Sequence, residues 1–93
     1  MIELTSKQKH RIKKITQRNK QTSSDTIIKK TKEEVMELSE ALQTADLVHI
    51  TEEIADVLIM LNQYTSIYIN EKDLHNQLNR KTKRTLVNLK KVK

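Results

Sequence analysis

The stretch TEEIADVLIMLNQYTSIYIN, residues 51–70, contains the apolar run that predicts the central helix of the fold. From Ile54 to Asn70 the one charged residue is Asp56, which lies within the run Ile54–Leu61. A buried carboxylate without a partner costs free energy. We therefore expect Asp56 to be balanced by a positive charge. The run itself is far too short to span a bilayer, so a membrane partner is not expected.

The composition of the 93-residue chain predicts one small all-α domain, residues 1–93. The chain has no Gly, Pro or Cys, and 32% of its residues are charged. Without Gly or Pro the usual β-hairpin turns are unavailable, which favours helices. With two Tyr and no Phe or Trp the core is small, so we expect a homodimer or homotetramer. The lack of Cys and of a signal-peptide pattern predicts a cytoplasmic protein.

The net charge of +6 hides a strong segregation of charge along the chain. Eight acids and no Lys or Arg lie between Glu33 and Asp56, whereas residues 7–20 and 80–93 each contain seven basic residues. Uniform basicity is typical of nucleic-acid binding, and this segregation argues against such a partner. The alternative that stays open is a small basic helical protein that binds nucleic acid or a partner helix without catalysis. That alternative leaves the acidic window unexplained.

Hydrophobic spacing predicts four helices. The first, second and fourth cover about residues 6–18, 25–44 and 71–89. The third begins between residues 46 and 51 and ends at about residue 69. Residues 17–24 are polar and predict a loop, with Ser23, Ser24 and Asp25 as candidate helix caps. Two apolar stripes are expected to be buried. The stripe of the second helix consists of Ile28, Thr31, Val35, Leu38, Leu42 and Ala45, and that of the third of Ile50, Ile54, Val57, Leu61 and Tyr68.

Two pairs of acids on these helices predict a metal site. Glu34 and Glu37 are three residues apart, as are Glu53 and Asp56, so each pair projects from one side of its helix. If the two helices pack antiparallel, four carboxylates converge and repel one another unless a cation lies between them. Oxygen ligands suit Mg²⁺ or Mn²⁺, and Mg²⁺ commonly also binds substrate phosphates. The alternative, a solvated acidic surface, suffices for Glu40 and Glu52, and for Glu33 taken alone.

The segments EEVMEL, residues 33–38, and EEIADVLIML, residues 52–61, resemble the MazG-like nucleotide pyrophosphohydrolases of the all-α NTP pyrophosphatase superfamily. The resemblance implies a four-helix bundle whose active site lies between two central antiparallel helices and is completed by oligomerisation. It implies Mg²⁺-dependent hydrolysis of an NTP or dNTP to the monophosphate and pyrophosphate. The implied metal ligands are Glu34, Glu37, Glu53 and Asp56. Glu33 is the implied catalytic residue, which orients or deprotonates the attacking water.

A third segment, LNRKTKRTL at residues 78–86, is similar to the part of the family that approaches the triphosphate. The resemblance implies phosphate-binding roles for Asn79, Lys81 and Arg84, and for Lys30 ahead of the first acidic motif. It also implies a catalytic core over residues 25–90, preceded by a basic helix and loop at 1–24. An ordinary basic helix surface is the alternative for Lys81 and Arg84. Residues 1–63 have no aromatic side chain, so the preferred base is not indicated.

Overall fold

The computed structural model describes residues 3–20 and 24–91, which form four α-helices and contain no strand. The helices are α1 (Ser6–Lys20), α2 (Ser24–Leu42), α3 (Leu47–Tyr68) and α4 (Glu71–Lys91). The predicted all-α class is therefore confirmed. Within the described ranges, no helix is both long and apolar enough to cross a membrane.

The first helix is longer than the sequence predicted. A loop was expected at residues 17–24, but α1 continues to Lys20 and α2 begins at Ser24. Polarity is a poor signal here, because Gln, Arg and Lys at positions 17–20 are good helix formers. The cap candidate Ser23 lies outside the described residues, and Asp25 lies inside the first turn of α2.

The central unit of the fold is the hairpin of α2 and α3, which pack along each other. Four residues connect the two helices, a length typical of antiparallel neighbours. Ala45 has a φ of 60°, which places it in the left-handed region without the help of glycine. Asp46 then caps α3, because its carboxylate accepts hydrogen bonds from the backbone N–H groups of Val48 (3.1 Å) and His49 (3.3 Å). These residues fix where α2 ends and α3 begins.

Helix α1 packs across this hairpin and contacts both of its helices. The amide Nδ2 of Asn19 donates a 2.7 Å hydrogen bond to Oε1 of Gln63, whose side chain is fully buried in α3. Thr16 is also buried, and its hydroxyl donates to the carbonyl of Ile12 within the helix. A buried amide without a partner costs free energy, so the contact between Asn19 and Gln63 ties α1 to one position on α3.

The buried face of α2 differs from the predicted stripe, whereas on α3 the predicted burial of Val57 is confirmed and most of the remaining stripe differs. On α2 the buried residues are Ile27, Glu34 and Ala41, and on α3 they are Val57, Met60 and Gln63. The prediction that Ile28, Val35, Leu42, Ile54, Leu61 and Tyr68 are buried is wrong, because all of them are exposed. Ala45 was assigned to the same stripe but lies beyond the end of α2. Helix α2 packs against α1 as well as α3, and Ile27 lines a cavity together with Ile15 of α1 and Ile59 of α3.

Helix α4 lies largely outside the packed part of the described residues. Every one of its residues is exposed. It meets α3 at its first turn, where Glu71, Leu74 and His75 line a shallow cavity with Asn62 and Ile69. Beyond that turn, α4 does not pack along α1, α2 or α3.

Candidate metal centre

Three carboxylates from the α2–α3 hairpin meet at one place. Glu34 and Glu37 come from adjacent turns of α2, and Glu53 comes from α3. One carboxylate oxygen of each lies within 4.8 Å of the others. The spacing of three residues brings the α2 pair together, and the antiparallel packing of α3 brings Glu53 opposite them. Such a cluster is able to coordinate one cation.

Two oxygens of this cluster are buried without a hydrogen-bond partner among the described residues. They are Oε2 of Glu34 and Oε2 of Glu53. The side chain of Glu34 is 11% exposed and that of Glu53 is 12% exposed. A buried acceptor that lacks a partner costs about 1–3 kcal/mol. The arrangement therefore fits a bound cation, and its all-oxygen donor set is the kind that Mg²⁺ and Mn²⁺ prefer.

The electrostatics of Glu34 also favour a bound cation in the cluster. Burial raises the pKa of its carboxyl above the ordinary value of 4.5, and the negative charges of Glu37 and Asp56 raise it further. The ammonium group of Lys30 acts in the opposite direction but does not outweigh them. The charged form of Glu34 is thus disfavoured in the protein alone, and a cation in the cluster would favour it.

Asp56 lies at the edge of the cluster rather than within it. It is exposed, although it lines a cavity together with Glu34 and Lys30. The expectation that Asp56 is enclosed by its apolar neighbours is therefore wrong, because side chains adjacent in sequence diverge by about 100° on a helix. The carboxylate that is enclosed is Glu34. Its spacing of seven residues from Ile27 and from Ala41, two buried positions, is the signal that identifies it.

Lys30 and Glu33 lie beside the cluster on α2. The Nζ atom of Lys30 is 3.8 Å from Oε2 of Glu33 and 3.6 Å from Oε1 of Glu34. The side chain of Glu33 is about half exposed, so it is accessible to water. His49 is a neighbour that the sequence analysis did not include, with Nδ1 4.0 Å from Oε1 of Glu53. Its position one turn before Glu53 was the available signal.

The three remaining candidates lie on α4. Asn79, Lys81 and Arg84 are all exposed, on a helix that does not pack along the hairpin. A single subunit therefore does not bring them to Glu34, Glu37 and Glu53. Lys30 is the predicted phosphate-binding residue that the subunit does place beside the acids.

A cavity of about 420 Å³ adjoins the acids and extends beneath α1. Polar and charged side chains form part of its wall, and aliphatic side chains form the rest. The lining residues are Ile15, Asn19, Thr26, Ile27, Lys30, Glu34, Asp56, Ile59, Met60 and Gln63. Such a mixture suits a ligand with both an anionic and an apolar part.

Comparison with known proteins identifies a family for most of the chain. The family model of the MazG nucleotide pyrophosphohydrolase domain matches residues 21–86. This range covers more than half of the chain and includes the acids of α2 and α3 as well as Asn79, Lys81 and Arg84. No curated protein and no solved structure matches the chain.

Proposed function

The chain belongs to the MazG nucleotide pyrophosphohydrolase family, and we propose that it hydrolyses a nucleoside triphosphate, an NTP or dNTP, to the monophosphate and pyrophosphate with Mg²⁺ or Mn²⁺ as cofactor. The observation that carries the metal dependence is the cluster of Glu34, Glu37 and Glu53, with its two buried and unpartnered carboxylate oxygens. We assign the catalytic core to residues 25–90.

In this proposal Glu34, Glu37, Glu53 and Asp56 hold the metal. The first three already lie together, and Asp56 lines the same cavity as Glu34. When bound, the ion polarises the phosphate oxygens and lowers the pKa of a nearby water. The hairpin contributes by fixing the carboxylates before the substrate arrives, so that little reorganisation is needed during the reaction.

Glu33 and Lys30 are proposed to act on the reactants directly. Glu33 is exposed to water and lies beside the cluster, which suits it to orient the attacking water and accept its proton. The anhydride between the α- and β-phosphates then breaks, and pyrophosphate leaves. Lys30 is within 4.0 Å of both Glu33 and Glu34, so its ammonium is positioned to neutralise phosphate charge near the acids.

The α4 residues are proposed to reach the phosphates from another copy of the chain. Asn79, Lys81 and Arg84 do not approach the acids within one subunit, because α4 does not pack along α2 or α3. In a homodimer or homotetramer, a neighbouring α4 brings cations to an acidic hairpin that has few of its own. Cations near a metal–triphosphate complex stabilise the charge that develops as the leaving group departs.

The proposal is tested by measuring pyrophosphate release from a panel of canonical and modified NTPs and dNTPs, in Mg²⁺, in Mn²⁺ and in EDTA. We expect metal-dependent release by the wild type and a loss of more than about hundredfold in Asp56→Asn. The matched control is Glu52→Gln, which removes an exposed acid from the same helix outside the cluster and is expected to retain activity. A folded wild type that releases pyrophosphate from no nucleotide contradicts the proposal and favours the non-catalytic alternative.

Glu33→Gln tests the role of the proposed base separately from metal binding. Turnover should fall by about 10²–10⁴-fold, as for loss of a general base, while Mn²⁺ affinity measured by calorimetry stays close to that of the wild type. Equal losses of turnover and Mn²⁺ affinity would assign Glu33 to the metal site instead.

A further inference from the structure

Helix α1 carries a concentration of positive charge that the candidate metal centre does not use. Seven Lys or Arg residues lie between positions 7 and 20, and no acid lies between positions 4 and 24. The cations of this helix whose side chains are described are all exposed: Lys7, Lys9, Arg11, Lys13, Lys14 and Arg18. Within the described part of the chain, none of these cations forms an ion pair with an acid. Their charge is therefore available to an external partner.

Four of these cations lie in one line along α1, which we call the basic row. The row consists of Lys7, Arg11, Lys14 and Arg18. Because they are four, three and four residues apart, they lie within roughly 60° of one another around the helix axis, at about 100° per residue. At a rise of about 1.5 Å per residue, the row is about 16 Å long. It presents one cation on each successive turn of the helix.

The packing of α1 turns the basic row away from the hairpin. The side of α1 that faces the hairpin is marked by the buried Thr16 and the half-buried Ile12 and Asn19. These three side chains project, on average, roughly 140° from the middle of the row. The hydrogen bond from Asn19 to Gln63 ties α1 to α3 in this orientation. The row is therefore held on the outer side of the fold.

The partner that the basic row fits is the phosphate backbone of a double-stranded nucleic acid. Lys and Arg are the side chains with which proteins contact phosphates. Along one strand of a B-form duplex the phosphates recur about every 3.4 Å of the helix axis, so a row of about 16 Å is long enough to meet about five of them. Helix α1 has no aromatic side chain, so it lacks the base stacking with which proteins bind single strands.

Two other anionic partners fit the row less well. A membrane surface requires a helix with an apolar face that enters the bilayer interface, but Ile12 and Ile15 of α1 face α3, where they line a cavity with Ala55 and Leu58. An acidic protein presents carboxylates at irregular intervals, whereas one cation on each turn suits a polyanion with a regular repeat. A duplex has such a repeat.

We propose that the basic row binds the phosphate backbone of double-stranded DNA or RNA without regard to base sequence. This binding goes beyond the proposed catalysis and is independent of it, because the row contains no residue assigned to the metal or the triphosphate. The sequence argued against a nucleic-acid partner because a long acidic window interrupts the basic segments. The structure places that window on α2, α3 and their connection, whereas the row faces away from the hairpin.

The opposite side of α1 supplies a matched control. Lys9 and Lys13 are also exposed, but they project roughly 130–170° from the middle of the row and line a cavity against α3. The variants Lys7→Gln/Lys14→Gln and Lys9→Gln/Lys13→Gln therefore remove the same charge from different sides of one helix. Binding of each full-length protein to fluorescent duplexes of DNA and of RNA is measured by anisotropy in EDTA, between about 50 and 200 mM salt. Circular dichroism confirms that each variant is folded.

We expect the wild type to bind at least about 150-fold more weakly at the higher salt concentration, because the logarithm of the binding constant falls with a slope of about −0.9 for each of four phosphate contacts. Loss of two contacts in Lys7→Gln/Lys14→Gln should lower this ratio by about twelvefold. Lys9→Gln/Lys13→Gln should keep the ratio of the wild type. Binding to only one of the two duplexes, with the same difference between the variants, supports the proposal and identifies the nucleic acid.

Equal losses in the two double variants overturn the proposal, because the attraction is then due to net charge rather than to the row. A folded wild type that binds neither duplex at about 50 mM salt also overturns it. Binding to phosphatidylserine vesicles without binding to either duplex overturns it in favour of a membrane surface. None of these outcomes depends on whether the protein hydrolyses nucleotides.

Discussion

The α2–α3 hairpin and helix α4 are opposites in both charge and packing. The hairpin carries eight acids between Glu33 and Asp56 and forms most of the packed structure. Helix α4 is rich in Lys and Arg, and all of its residues are exposed. The acidic half of the candidate site is therefore assembled within one subunit, whereas the basic half is not. The difference teaches that a single subunit clusters the acids of the candidate metal centre but does not bring the cations of α4 to them.

The hairpin holds its acids together at a cost in stability. Glu34 is buried beside Glu37 and near Asp56, and the raised pKa of its carboxyl records the penalty on the charged form. Helix α4 has no corresponding strain, since its cations are solvated. Substitutions in the two regions should consequently differ in kind. Neutralising the buried acid of the hairpin should raise stability and lower activity, whereas substitutions of the α4 cations should lower activity alone.

The largest expected effect comes from Glu34→Gln. Removing a charge from the centre of the cluster should lower pyrophosphate release by more than about hundredfold. The same change should stabilise the metal-free protein in EDTA by about 1 kcal/mol, because it removes a charge that burial and the neighbouring carboxylates disfavour. For a domain of this size that corresponds to a rise of about 4–8 °C in Tm. The pyrophosphate assay measures the loss of activity, and thermal unfolding in EDTA, followed by circular dichroism, measures the gain in stability.

The pH dependence of that gain has a definite sign. Because the pKa of Glu34 is raised in the folded state, its charged form destabilises the fold, and this penalty appears as the pH rises through the folded pKa. Well below 4.5 Glu34 is protonated in both folded and unfolded chains, so wild type and Glu34→Gln should have equal Tm values there. Glu40→Gln, an exposed acid on the same helix, is the control and should change Tm little. A difference in Tm between the wild type and Glu34→Gln that widened as the pH fell would contradict a raised pKa of Glu34.

The contrast between the hairpin and α4 also explains which features could be predicted from the sequence. The four helices and the pairing of Glu34 and Glu37 with Glu53 follow from local periodicity, which is encoded residue by residue. Local periodicity did not predict which side of α2 is packed. Its more apolar stripe consists of Ile28, Val35 and Leu42. The side that one subunit buries instead contains Ile27, Glu34 and Ala41. The exposure of α4 could not be predicted either, since amphipathic spacing indicates that a helix has a partner but not which chain supplies it.

A mixing experiment tests whether the two regions act in different subunits. Asp56→Asn retains an intact α4, and the double variant Lys81→Ala/Arg84→Ala retains intact acids, so each alone should be strongly impaired. When the two are co-expressed in equal amounts and α4 acts on a neighbouring subunit, random pairing restores one site in each mixed dimer. The activity should then reach about a quarter of that of the wild type, as expected for a two-fold pair.

The control for mixing is a pair of variants defective in the same region. Co-expression of Asp56→Asn with Glu53→Gln should restore nothing, because every acidic site remains defective. If co-expression of Asp56→Asn with Lys81→Ala/Arg84→Ala also restores no activity while the wild type is active, α4 must reach the acids of its own subunit. That result would require α4 to leave the exposed position that it occupies here.

The smallest expected effect concerns the turn that sets the register of the hairpin. Ala45 adopts a φ of 60°, a region that costs a residue with a Cβ atom about 1–2 kcal/mol. Ala45→Gly removes this strain but adds freedom to the unfolded chain. A net stabilisation of about 0.5–1 kcal/mol is therefore expected, with no change in pyrophosphate release. Ala41→Gly, the same substitution one turn earlier in the buried face of α2, should instead destabilise the protein by about 1 kcal/mol. Chemical denaturation of the two variants gives the sign directly. If both were destabilised, the turn would not be strained, and the register of Glu34 against Glu53 would depend on helix packing alone.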